Sequence, residues 1–162
     1  GVRSVSKIHE HHRDLGVLPG VGTAMIEYVP GESNSGLFGG NSNWRGPVWF
    51  PINHLVIEAL ERYYEYLGDD FVVECPTGSG VLMNLQEVAD EIRNRLIRLF
   101  LPDADGRRPC FGDTQKFDKT GPWSDLVMFH EYFNGDNGSG IGANHQTGWT
   151  GLVADLIIGR KG

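Results

Sequence analysis

Three stretches of the chain repeat apolar residues at helical spacing. In the first, after Pro47 and Pro51, the residues Ile52, Leu55, Val56, Ala59, Leu60, Tyr63, Tyr64 and Leu67 recur at three- and four-residue steps, and Gly68 stands where a helix ends. The second stripe is Leu85, Val88, Ala89, Ile92, Leu96, Leu99 and Phe100. Asn84 precedes it with Glu87 three residues on, the pattern of a capping box, and Pro102 stops it. Arg93, Arg95 and Arg98 beside this stripe are expected on a solvated face. A third helix is predicted from Thr147 to Gly159, with Trp149, Leu152, Val153, Leu156 and Ile157 inward. Short strands are expected at 23–28 and 71–75 and a short helix around 4–12, whereas residues 17–22 match no pattern. The fold expected is mainly α with long Gly-rich loops and short β segments.

Each stripe is about one face wide, so every helix needs a partner surface, and three helices offer one another little cover. Either the chain oligomerises or it is the C-terminal part of a larger helical domain.

Composition narrows the function classes. The 162 residues make one ordinary domain, and 14 basic against 21 acidic side chains give a net charge of −7, which disfavours non-specific nucleic-acid binding and an acidic membrane surface. No apolar run reaches the roughly 20 residues needed to cross a bilayer, and no secretory signal pattern opens the chain, so a cytoplasmic location is expected, with no nucleic-acid or membrane partner. Cys75 and Cys110 lack metal-ribbon spacing and read as ordinary thiols. Glycine is in excess, 23 residues, about twice the usual share of roughly 7%, and it gathers in the long loops where function concentrates.

Familiar motifs fail on inspection. His130-Glu131-Tyr132-Phe133-Asn134 starts like a zinc-protease helix but has Asn134 where the second ligand belongs. Gly138, Gly140 and Gly142 lack the spacing of a dinucleotide loop, Asp136-Asn137-Gly138 lacks that of a calcium loop, and His9, His11 and His12 read as a surface run. No metal and no cofactor is expected.

Two loops suit a sugar. Asn41-Ser42-Asn43-Trp44-Arg45-Gly46-Pro47-Val48-Trp49 combines indole planes, which can lie against the C–H face of a sugar ring, with a guanidinium and amides that can bond its hydroxyls. Equally, Trp44 and Trp49 could be core anchors and Arg45 internally paired. In the second loop, Glu131 lies among aromatics and ahead of flexible glycines, a setting that could raise its basicity for general-base work, or it could be a simple surface charge.

Residues 41–49, together with Glu74-Cys75-Pro76-Thr77-Gly78-Ser79-Gly80, Gly106-Arg107-Arg108-Pro109 and the run 130–149, resemble the bacterial branch of glycoside hydrolase family 63. The likeness runs from about Arg3 to Ile157. That family includes processing α-glucosidases and bacterial mannosylglycerate and glucosylglycerate hydrolases, built on an (α/α)6 barrel. The resemblance implies that residues 1–162 are the C-terminal portion of such a catalytic domain, incomplete without upstream polypeptide, which would cover the open helix stripes. The family's pocket-lining Trp-Arg-Gly matches Trp44, Arg45 and Gly46. Its general base, a glutamate in a Glu-Tyr-x-x-x-(Asp/Glu)-x-Gly context, matches Glu131 with Tyr132, Asp136 and Gly138, and its later Gly-Trp pair matches Gly148 and Trp149.

The resemblance thus implies an inverting hydrolase of α-glucosides or related α-glycosides. Glu131 would be the base, Trp44, Arg45, Gly46, Tyr132 and Trp149 would bind an oligosaccharide or small glycoside, and the isolated chain would be inactive. The family's general acid is an aspartate farther upstream than this chain reaches, so Asp113, Asp118, Asp125 and Asp136 are not assigned that role. Two alternatives are a non-catalytic carbohydrate-binding or scaffold module and a trehalase-like (α/α)6 hydrolase.

Overall fold

The computed structural model describes residues 1–11, 13–20, 22–36, 42–117 and 119–159. His12, Asn41 and Asp118 of the sequence analysis lie outside the described residues, as does Val21 within the unassigned stretch. Where a helix was expected near the start, only a single 3-10 turn forms, at Lys7–His9, and the chain then enters a hairpin of β1 (Arg13–Leu18) and β2 (Gly22–Ile26). These strands pair antiparallel with Leu18 opposite Gly22. Residues 17–20 and 22, which match no sequence pattern, therefore flank the hairpin's turn, and Gly20 and Gly22 take φ values of 79° and 100° that side chains disfavour.

Helix α1 (Phe50–Leu67) has Pro51 in its first turn, where a missing N–H costs nothing, and it ends at Gly68 with φ 69°. A short hairpin of β3 (Val72–Glu74) and β4 (Leu82–Asn84) leads into α2 (Leu85–Arg98). The expected capping box is formed: Asn84 Oδ1 accepts the Glu87 N–H at 2.9 Å and Glu87 returns the bond to the Asn84 N–H at 2.8 Å. After a long loop, a two-residue pair of β5 (Tyr132–Phe133) and β6 (Gly140–Ile141) precedes α3 (Thr147–Thr150) and α4 (Leu152–Ile158). The single third helix expected over 147–159 is thus broken at Gly151. Val153 and Leu156 face the core as expected, but Trp149 and Ile157 are exposed, at 37% and 48%.

One apolar cluster joins these elements: Phe50 and Ile57 of α1, Ala89, Leu96 and Ile97 of α2, Val153 and Leu156 of α4, with Phe100, Phe111 and Phe133 from the loops and β5. Leu96 is fully buried, so cutting it to alanine would cost about 2–5 kcal/mol. Two expectations need correction. Arg93 is not on a solvated face: it is 5% exposed and paired with Glu61 of α1 and Asp90 of α2, so it ties the two helices together. The apolar stripe read on α1 is also two faces rather than one. At about 100° per residue, Phe50, Asn53, Ile57 and Leu60 fall on the core side, whereas Ile52, Leu55, Ala59, Tyr63 and Tyr66 fall on the opposite side and are exposed. Among the described residues no helix is long and apolar enough to cross a membrane.

Candidate active site

The two loops singled out in the sequence meet through backbone. Val48 and Phe133 form an isolated antiparallel bridge, exchanging N–H to carbonyl bonds of 2.8 and 3.0 Å. A Cβ on Gly46 would lie 2.4 Å from the Val29 carbonyl oxygen, and one on Gly135 would lie 2.5 Å from the Gly46 oxygen. Only glycine allows the segments around 46 and 135 to approach so closely. Asn43 locks the first loop: fully buried, it donates to the Val29 and Gly31 carbonyls at 2.7 Å each and accepts from the Arg45 N–H at 2.9 Å.

On this frame stands an aromatic tier. Trp44 stacks on Trp49 with ring centroids 3.8 Å apart and planes 3° from parallel, and Tyr132 covers the other side of Trp49 at 4.6 Å. Trp149 meets Trp49 edge-on at 6.3 Å. Trp49 is buried and its indole N–H donates to the Asn43 carbonyl, so the core-anchor reading holds for it. Trp44 is half-buried and Trp149 is 37% exposed, so these two leave indole surface accessible. Arg45, Gly46 and Tyr132, expected to bind sugar, are all buried, Tyr132 as a member of the tier itself. The Arg45 guanidinium donates to the Asn34 side chain, the internal pairing weighed as the alternative, while its Nε is buried with no hydrogen-bond partner among the described residues.

Glu131 immediately precedes β5 and is half-buried. Its Oε1 accepts the Ser42 hydroxyl at 3.1 Å and its Oε2 accepts the Ala143 N–H at 3.1 Å. Ser42 lies two residues before Trp44, so the carboxylate is tied to the loop that carries the aromatic tier. A carboxylate has about four lone-pair sites, and two are used here. Asp136, in the following turn, accepts from the Tyr28 hydroxyl at 2.8 Å and pairs with Lys7 at 3.1 Å. Burial alone would raise its carboxyl, but Tyr28, Lys7 and Arg3 together hold it below the usual carboxylate range. Its side-chain partners are thus Tyr28 and Lys7.

Tyr28 and Glu32 have no place in the sequence reading. Glu32 accepts the Tyr132 hydroxyl at 2.9 Å, and burial together with that bond pushes the Tyr132 phenol up to about 12. The only cue in the sequence was a single carboxylate in the glycine-rich stretch between Tyr28 and the Trp44 loop. Among the described residues no three His, Cys, Asp or Glu side chains gather as a metal ion would require.

The chain is 55% identical over 159 residues to an uncharacterized protein of Saccharomyces cerevisiae, an alignment covering 97% of this chain and 14% of that protein. It is also similar to part of a glucosidase. A mannosyl-oligosaccharide glucosidase of the same organism is 27% identical over 121 residues, 74% of this chain and 11% of the relative. The chain therefore spans only a small part of either relative's length. No family profile matches it, and no solved structure does.

Proposed function

We propose that this chain is the C-terminal portion of the catalytic domain of an inverting glycoside hydrolase of family 63, acting on α-glucosides or related α-glycosides, with Glu131 as general base. The observation that carries the reading is the Glu131 carboxylate, held by the Ser42 hydroxyl and the Ala143 N–H beside the Trp44, Trp49 and Tyr132 tier. Similarity to part of a glucosidase supports it. The apolar residues on both sides of α1 fit the (α/α)6 barrel expected, since a helix in a barrel of paired helices meets neighbours on both faces.

The chemistry follows from the position of the base. Two bonds fix the rotamer of Glu131 and leave lone pairs for a water, whose proton the carboxylate takes as the oxygen attacks the anomeric carbon. The accessible indole surfaces of Trp44 and Trp149 suit the C–H face of the ring, and the buried Arg45, Gly46 and Tyr132 hold those surfaces in place. A protonated acid on the opposite face of the sugar, supplied by upstream polypeptide, would protonate the leaving oxygen. Roughly 6.5–9.5 Å between the two carboxyls leaves room for the water and inverts the anomeric configuration.

The test is Glu131→Gln in the intact protein that carries this chain, assayed on a panel of α-glucosides and α-mannosides with the first-formed anomer followed by NMR. Hydrolysis is expected to fall by about 10²–10⁴-fold with sugar binding retained, and the wild-type product to be the inverted anomer. Near-normal turnover by the variant would overturn the assignment.

A further inference from the structure

We infer that Glu32 is a positioning residue for the Glu131 carboxylate, a role that rests on the general-base reading above. Its two oxygens are divided between the two strands of the site. Oε2 accepts the Tyr132 hydroxyl at 2.9 Å, on the residue next to Glu131, and Oε1 accepts the Gly142 N–H at 3.4 Å, just past the end of β6. The following amide, Ala143 N–H, is the one that donates to Glu131 Oε2, and the Glu131 N–H donates to the Ala143 carbonyl at 2.9 Å. Consecutive amides thus bind the two carboxylates.

Position 142 transmits any movement directly. Gly142 has φ 72°, and a Cβ there would lie 2.7 Å from both Glu131 Oε2 and Tyr132 Cε1. Its backbone is therefore packed against the base and against the ring of Tyr132, so whatever fixes residue 142 also fixes the Glu131 carboxylate. Glu32 does so from 110 residues away in the chain, spanning the facing segments like a staple.

The chemistry of the clamp calls for a carboxylate. Both partners are donors, a phenol O–H and a backbone N–H, and an ionised carboxylate accepts at both oxygens. Glutamine can keep its carbonyl on the Gly142 N–H but meets the phenol only by donating to it, which turns the Tyr132 proton away and gives up the charge, and alanine keeps neither bond. A displacement of about 1 Å at a reacting group is enough to cost on the order of 10²-fold in rate, so the loss should appear in kcat.

The experiment compares Glu32→Gln, Glu32→Ala and Tyr132→Phe with wild type in the intact protein, by hydrogen exchange of peptides spanning 139–146 and by steady-state hydrolysis of an aryl α-glucoside. Exchange at 142 and 143 is expected to quicken in the order wild type, Gln, Ala, with α1 and α2 unchanged. We expect kcat to drop about 10–100-fold in Glu32→Ala with KM little altered, a smaller drop in Glu32→Gln, and a Glu32→Ala/Tyr132→Phe double variant that loses less than the two singles combined. Unchanged exchange at 142 and 143 in Glu32→Ala, or a raised KM with normal kcat, would overturn the inference. A wild type without turnover defeats the glycosidase reading alone, and the exchange measurement then still decides the clamp.

Discussion

His130, one residue before the candidate base, carries a titration the fold has to oppose. Its ring lies edge-on to Phe133 at 6.3 Å, its Cδ2 is 2.1 Å from where a Cβ on Gly140 would stand, and its Nδ1 is buried with no hydrogen-bond partner among the described residues. Burial holds its pKa below the ordinary value of 6.5. The folded chain therefore favours the neutral ring, while the unfolded chain takes up a proton near 6.5. The stability this contributes is complete above that value and is lost as the pH falls through the lower folded-state pKa. In the intact protein, Tm is expected to decline as the pH is lowered below 6.5, with His130→Leu flattening that decline. An equal decline in the variant would place the acid sensitivity elsewhere. At this scale the sequence was legible where chemistry is local. Glu131 stands out by its neighbours, but Glu32 reaches Tyr132 across 100 residues and Arg45 finds its partner in Asn34, and no spacing rule foresees either contact.

Among the elements, legibility followed how far each is governed by its own residues. Helix α2 was readable almost to its ends because its start is a reciprocal pair of bonds between Asn84 and Glu87, both within one turn. Asn84→Ala should cost about 1 kcal/mol, so exchange of the first-turn amides of α2 in the intact protein should quicken about fivefold; an unchanged rate would mean that packing rather than the cap holds that end. Arg93, in the same helix, was misread because its polarity suggests solvent. Its burial depends on Glu61 from another helix, which a single-helix pattern cannot contain. The turn of the first hairpin escaped for a different reason: at Gly20 and Gly22, glycine backbone geometry overrides side-chain periodicity.

For the molecule as a whole, the question is what covers the second apolar face of α1. Leu55 is 61% and Tyr66 87% exposed, with Ile52 and Tyr63 between and around them, and Ile157 and Ile158 are exposed on the neighbouring α4. A contiguous face of this kind is characteristic of an interaction surface rather than of a free exterior. The net charge of −7 opposes indiscriminate clumping, and this face is the patch on which association of the chain on its own is expected. On the function proposed above, the covering is the remainder of the catalytic domain, a reading that the 14% and 11% coverage of the relatives' lengths accommodates. Expressed alone, residues 1–162 should therefore self-associate in sedimentation experiments, and Leu55→Lys with Tyr66→Lys should shift them toward monomer. The same pair of substitutions in the intact protein should lower Tm, since lysines would then be forced into a packed interface without partners. A monodisperse monomer at tens of micromolar, or an intact protein indifferent to both lysines, would show that this face is solvent-exposed in the native molecule and that α1 is not an inner element of a larger barrel.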